Sequence, residues 1–146
     1  MTRQEATYEL LKEIFLLLDD GDRRLLNRFN LSVPRFYTLL HLGTLPGMTP
    51  NQLSELMFCD KSNVTRLIKN LEQDGHVVRR PHENDGRSVR LFLTEQGIRV
   101  RQEAMQSHQQ YNQRRFTAEI LAELNTSLEH LKTCLQADLA QDRDER

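Results

Sequence analysis

The sequence predicts a mostly α (α+β) fold: a winged helix-turn-helix lobe with a two-stranded wing, flanked by N- and C-terminal dimerisation helices. Three observations carry this expectation. Residues 49–73 hold two short amphipathic helical patterns close together. Two short strand-like runs follow, on either side of a polar loop bearing Arg87. Long helical patterns lie at both ends of the chain, the last with a sustained leucine stripe. The expected organisation is one domain over 1–146, with the winged lobe at 49–94 and dimerisation helices at 1–30 and 95–146.

The first helix is expected from near Gln4 to about Arg28. Tyr8, Leu11, Phe15 and Leu18 form one stripe, widened by Leu10, Ile14 and Leu17. The polar Asp19–Asp22 stretch is expected to interrupt or kink it. Ser32 is a suitable N-cap for a second helix, with Pro34 in the first turn, where a missing N–H costs nothing. Phe36, Leu39, Leu40 and Leu42 supply its apolar face, and it should end near Gly43. Thr49 can cap a third helix with Leu53, Leu56 and Met57 inward. Asp60 can cap a fourth, reaching about Gln73, with Gly75 as its stop.

Val77 and Val78 begin a strand that Pro81 curtails. Asn84, Asp85 and Gly86 are expected to reverse the chain, with Gly86 avoiding a Cβ clash. Val89, Leu91 and Leu93 alternate with Arg90 and Phe92, as a half-buried strand requires. Thr94 can cap a fifth helix to about Arg115, and Thr117 a sixth. In the sixth, Leu124, Leu128, Leu131 and Leu135 step by four, three and four, the spacing of a helix–helix seam. That seam suits packing on the first helix or a second copy of the chain, and both hold if the terminal helices of two protomers interleave.

Composition narrows the function. At 146 residues, with 38% hydrophobic and 28% charged side chains, the chain can build a core and is not disordered in character. No apolar run approaches the ~20 residues of a membrane helix. The apolar run at 14–18 has acids around it and lacks the basic start and small-residue cleavage site of a signal peptide, so a cytoplasmic protein is expected. Two cysteines are too few for a disulfide scaffold. The chain holds no dinucleotide fingerprint, phosphate loop, zinc-protease motif or Ser/His/Asp constellation, and its histidines lack metal-ligand spacing. No enzyme, cofactor or metal is therefore expected.

Charge is uneven. Residues 61–90 carry seven cations against four acids, and residues 117–146 three against seven. Basicity therefore gathers over the fourth helix and the wing. At ~100° per residue, Val64, Leu67, Ile68 and Leu71 share one side of that helix. Ser62, Thr65, Arg66, Lys69 and Gln73 fall opposite, with Asn63 at the edge. These polar types suit a major groove: Arg can donate twice to guanine, Asn can pair with adenine, and Ser or Thr can bond either way. Lys61 and Lys69 suit phosphate neutralisation. Double-stranded DNA is the expected partner.

At these residues the chain resembles the MarR family of bacterial transcription regulators. The resemblance rests on Leu31-Ser32, Leu53-Ser54-Glu55-Leu56, Val64-Thr65-Arg66-Leu67-Ile68, Leu71-Glu72 and Gly75. It continues through Arg79, Asp85-Gly86-Arg87 and Leu93-Thr94-Glu95-Gln96-Gly97, and covers roughly 8–140. It implies a homodimer whose two lobes meet a pseudo-palindromic operator, most simply as a repressor. It further implies that Arg87 enters the minor groove, where a guanidinium is favoured by the negative potential. Asp85 would orient the basic wing residues, Arg79 among them.

The same resemblance implies a crevice for small aromatic or apolar anions, for which Phe15, Phe36, Tyr37, His41 and Tyr111 are the candidate lining residues. Each of these also suits a plain core role. His108, on a polar helix, reads as a surface residue. Cys59 lies near the DNA side, where Lys61 or the helix terminus could favour a thiolate while Asp60 opposes it. A redox-sensing regulator and a winged-helix adaptor without DNA binding are the alternatives. The cations Arg66 and Lys69 on the fourth helix speak against the adaptor.

Overall fold

The computed structural model describes residues 1–82, 84 and 86–144. Six α-helices and one hairpin follow in order: α1 (Arg3–Leu26), α2 (Val33–Thr44), α3 (Pro50–Met57), α4 (Lys61–Gln73), β1 (Val77–Pro81), β2 (Val89–Leu93), α5 (Glu95–Arg115) and α6 (Ala118–Asp144). A 3₁₀ turn, Asn27–Phe29, continues α1. Met1–His108 and Gln109–Arg146 form two compact units, with the boundary inside α5. The result is a mostly helical α+β winged helix-turn-helix, as the sequence predicts.

Caps set the helix starts. Thr2 and Glu5 form a capping box at α1, and Thr49 and Gln52 form one at α3. Each satisfies backbone N–H groups that have no partner within the helix. Ser32 caps α2 by accepting from the Arg35 amide at 3.3 Å. Asp60 caps α4 by accepting from the Asn63 amide at 2.8 Å. At the far end of α4, Gly75 adopts φ +77°, the left-handed value that ends helices at small cost for glycine alone.

The Asp19–Asp22 stretch neither breaks nor kinks α1, contrary to expectation. Arg23 bonds Asp19 at 2.9 Å and Arg24 bonds Asp20 at 2.8 Å, one helical turn apart. Such i,i+4 pairs compensate a polar run on a helix surface.

One core serves the first unit. Leu26, Leu31, Phe36, Leu39, Leu42, Leu53, Val64, Ile68, Leu71, Val77, Leu91 and Ala104 are buried together, drawing on α1 to α5 and both strands. Leu53 is fully buried, but Leu56, expected beside it, is 48% exposed. On a helix of eight residues the inward stripe is narrow, and Leu56 falls at its edge.

The hairpin pairs Val77 with Leu93, Arg79 with Leu91, and Arg80 with Arg90, antiparallel. Met48 extends this sheet with a bridge to Leu91, tying the wing to the segment before α3. At the wing root, Thr94 caps α5 by accepting from the Gly97 amide and donates its hydroxyl to Gly75 O at 2.6 Å. The ends of α4, β2 and α5 thus meet at one residue. No helix among the described residues is long and apolar enough to cross a membrane.

Candidate nucleic-acid interface

Helix α4 is held from one side only. Val64, Ile68 and Leu71 are buried, each contributing roughly 1.5–3 kcal/mol. Opposite them Lys61, Ser62, Thr65, Arg66, Lys69 and Gln73 are exposed, and Asn63 is half-buried. Neither Lys61 nor Lys69 makes a salt bridge among the described residues. Their charges are left to solvent.

The start of this face is organised by its own cap. Asp60 accepts from the Asn63 amide, the Ser62 hydroxyl at 2.7 Å and the Asn63 side-chain amide at 3.1 Å. Asn63 Oδ1 in turn accepts from Arg66 Nη2 at 2.8 Å. The Asn63 backbone N–H, then the Ser62 hydroxyl, hold the Asp60 carboxyl below its ordinary pKa, with a smaller contribution from Arg66. Four side chains are thereby linked before any partner arrives. This network goes beyond the cap that the sequence suggests, because the Asn63–Arg66 contact depends on rotamers.

The corner before α4 is tight. Phe58 sits at φ +50° and is 87% exposed. Ser54 donates its hydroxyl to Cys59 O at 2.6 Å, and the Cys59 amide reaches Ser54 O at 3.1 Å. These bonds fix how α4 leaves α3.

In the wing, Arg79 is exposed and its Nε bonds Glu72 Oε1 at 2.9 Å, joining β1 to α4. The resemblance implied Asp85 as its partner; Asp85 lies outside the described residues. Arg87 is exposed beside Thr49, Pro50 and Asn51 at the start of α3, across a cleft of about 450 Å³. Gly86 has no described atom within 4 Å of where a Cβ would stand. The Asn84–Gly86 turn expected there includes Asp85, which lies outside the described residues.

A second cavity, of about 340 Å³, lies between α2 and the α3–α4 corner, lined by Tyr37, His41, Leu56, Met57, Cys59 and Leu67 with Val33 and Pro34. Of the five residues proposed for an apolar ligand, Tyr37 and His41 meet here. Phe36 is fully buried, with Tyr37 edge-on at 5.6 Å. Phe15 is 60% exposed on α1. Tyr111 lies in the second unit, under the Arg115 guanidinium at 4.3 Å.

His108 is not a surface residue. Its Nε2 meets Asp22 Oδ1 at 3.1 Å, with both side chains mostly buried, and its ring lies edge-on to Phe36 at 5.1 Å. The contact spans 86 residues. The polar neighbours of His108 on α5 hid it, and the paired Asp22 within an acidic run was its only trace. No group of three metal-ligating side chains occurs among the described residues.

Taken together, the capped α3–α4 pair and the hairpin define a winged helix-turn-helix protein with a polar, cationic face on its second helix. Comparison with known proteins makes the class specific. A model of the MarR family matches residues 29–88. The organic hydroperoxide resistance transcriptional regulator of Bacillus subtilis (strain 168) is 32% identical over 81 residues, covering 56% of this chain and 55% of that protein. The chain thus spans about half the length of that relative. The uncharacterized regulator YsmB of the same strain is 32% identical over 101 residues, 69% of each chain. The crystal structure of Streptococcus pneumoniae FabT in complex with DNA superposes with a TM-score of 0.80 at 26% identity, covering 92% of this chain and 98% of that one. The chain belongs to the MarR family, which is made of transcriptional regulators.

Proposed function

We propose that this chain is a sequence-specific DNA-binding regulator, acting in the cytoplasm as a homodimeric repressor of a pseudo-palindromic operator. The observation that carries the reading is the face of α4. Ser62, Asn63, Thr65 and Arg66 stand exposed or half-exposed as hydrogen-bonding groups between Lys61 and Lys69, which make no salt bridge among the described residues. Arg66 and Asn63 offer the bidentate chemistry of base edges, and the lysines that of phosphates. In the wing, Arg79, bonded to Glu72, and the exposed Arg87 add cations; the family resemblance implies Asp85, outside the described residues, as the acid that orients them. FabT, the similar protein, has been solved in complex with DNA.

The dimer reading draws on apolar surface. Tyr8, Phe15 and Leu17 on α1 are 60–73% exposed, and Leu121, Leu124, Leu128, Leu135 and Leu139 on α6 are 40–54% exposed. Apolar surface of this extent on terminal helices fits an interface. Two copies would present two α4 helices to two half-sites. The cavity holding Tyr37 and His41 suits a small apolar or phenolic ligand: its walls are mainly carbon, with a hydroxyl and an imidazole to orient a polar group. Leu67 of α4 forms part of its wall, so an occupant there biases the position of the reading helix.

The experiment is recovery of genomic fragments on immobilised protein, followed by sequencing. A short inverted repeat shared by the retained fragments supports the reading. Retention without a shared motif overturns sequence specificity.

A further inference from the structure

The outer face of the wing carries a second cationic cluster, separate from Arg79 and Arg87. Strands place Val78, Arg80 and His82 on one side of β1, against Phe92, Arg90 and Ser88 on β2. Arg80, Pro81, His82, Asn84, Arg90 and Phe92 line a cleft of about 340 Å³. We propose that this cleft is a phosphate-binding site, clasped by Arg80 and Arg90.

Three features point to an anion. Arg80 and Arg90 are direct cross-strand partners, a like-charge pairing that destabilises a ladder. Neither has an ion-pair partner among the described residues. Second, among the described side chains of the cleft, donors outnumber acceptors. The Asn84 amide donates to His82 Nδ1 at 3.0 Å, while Arg90 Nη2 contacts His82 Nε2. A neutral imidazole accepts at one nitrogen only, so one of these two donors faces an N–H. An acceptor with several oxygens resolves that conflict. Third, Arg80 is braced: its guanidinium lies 5.1 Å above the Phe92 ring. Stacking presents the planar fork at little entropic cost, in the form that bonds phosphate oxygens twice.

The phosphate can come from the backbone of DNA or from a free phosphate compound. The first source rests on the regulator reading above; the second does not. Both are tested with Arg80→Gln and Arg90→Gln, two exposed positions, against Arg99→Gln as a control for lost charge. In one arm, inorganic phosphate is titrated at constant ionic strength while side-chain resonances of His82 and Arg90 are followed, with chloride as reference. Saturable shifts that vanish in Arg80→Gln show a site for free phosphate. In the other arm, duplex DNA affinity is measured against salt. A slope reduced by about 0.9 in each wing variant, beyond any change in Arg99→Gln, shows a backbone phosphate bound there. Arg90→Gln should also melt no lower than wild type, because it removes the like-charge pair. If phosphate moves no resonance and both slopes match the control, the site does not exist. If wild type binds no DNA, the regulator reading fails while the phosphate arm still decides this one.

Discussion

Gly97→Ala should damage the joint between wing and α5. A Cβ at position 97 would stand 2.1 Å from His76 O, 3.0 Å from its carbonyl carbon and 3.2 Å from its Cα. These are backbone atoms and cannot rotate aside, so the joint must open by about 1 Å. That carbonyl already accepts from the Thr94 amide at 3.0 Å, and Thr94 bonds both Gly75 and Gly97. Overpacking costs about 1–3 kcal/mol and an orphaned backbone group about 1–3 kcal/mol, offset by up to ~1 kcal/mol from alanine's helix preference. The net loss should be about 2–4 kcal/mol, read from urea unfolding at fixed protein concentration. Gly86→Ala meets nothing within 4 Å and should be near neutral. A Gly97→Ala stability within ~0.5 kcal/mol of wild type, or equal damage from both variants, would refute the reasoning.

Further outcomes are expected elsewhere. Leu128→Asp combined with Leu135→Asp should turn dimers into monomers or unfolded chains; a wild-type monomer in sedimentation at micromolar concentration contradicts the interface. Arg87→Ala should leave the melting temperature almost unchanged, since exposed ion pairs contribute only ~0–1 kcal/mol, yet weaken operator binding. Unaltered affinity at physiological salt would remove the wing from the interface. Asp60 has a lowered pKa when folded, so its stabilising effect is present above the ordinary carboxylate range and is lost as pH falls through the lowered value. The stability gap between wild type and Asp60→Ala should therefore close in acid. A gap that persists in strong acid shows that the cap acts through something other than the carboxylate.

Local signals made most of the fold legible. Ser32, Thr49, Asp60, Thr94 and Thr117 all accept a hydrogen bond from an amide of the helix that follows. Caps are short-range chemistry and can be read without knowing the tertiary structure. The burial of Val64, Ile68 and Leu71 likewise follows from periodicity. What escaped was set by distant contacts. His108 looked exposed because its partner Asp22 is 86 residues away. Leu56 looked buried because a short helix gives period but not the width of its inward face. The wing cluster of Arg80, His82 and Arg90 emerges only once the strand register is known. The Asn84–Gly86 turn falls partly outside the described residues.

The central claim is that the α4 face reads sequence, and one titration tests it most directly. Affinity of wild type and Arg66→Ala is measured for a recovered operator and for random duplex DNA, across several salt concentrations. Wild type should prefer the operator by about a thousandfold or more at physiological salt. Arg66→Ala should lose about 1–3 kcal/mol on the operator and little on random DNA, because a base contact is missing. Lys69→Ala, run alongside, should weaken both DNAs and lower the salt slope by about one unit. If Arg66→Ala weakens operator and random DNA equally, Arg66 reads no base, and the account of the α4 face is contradicted.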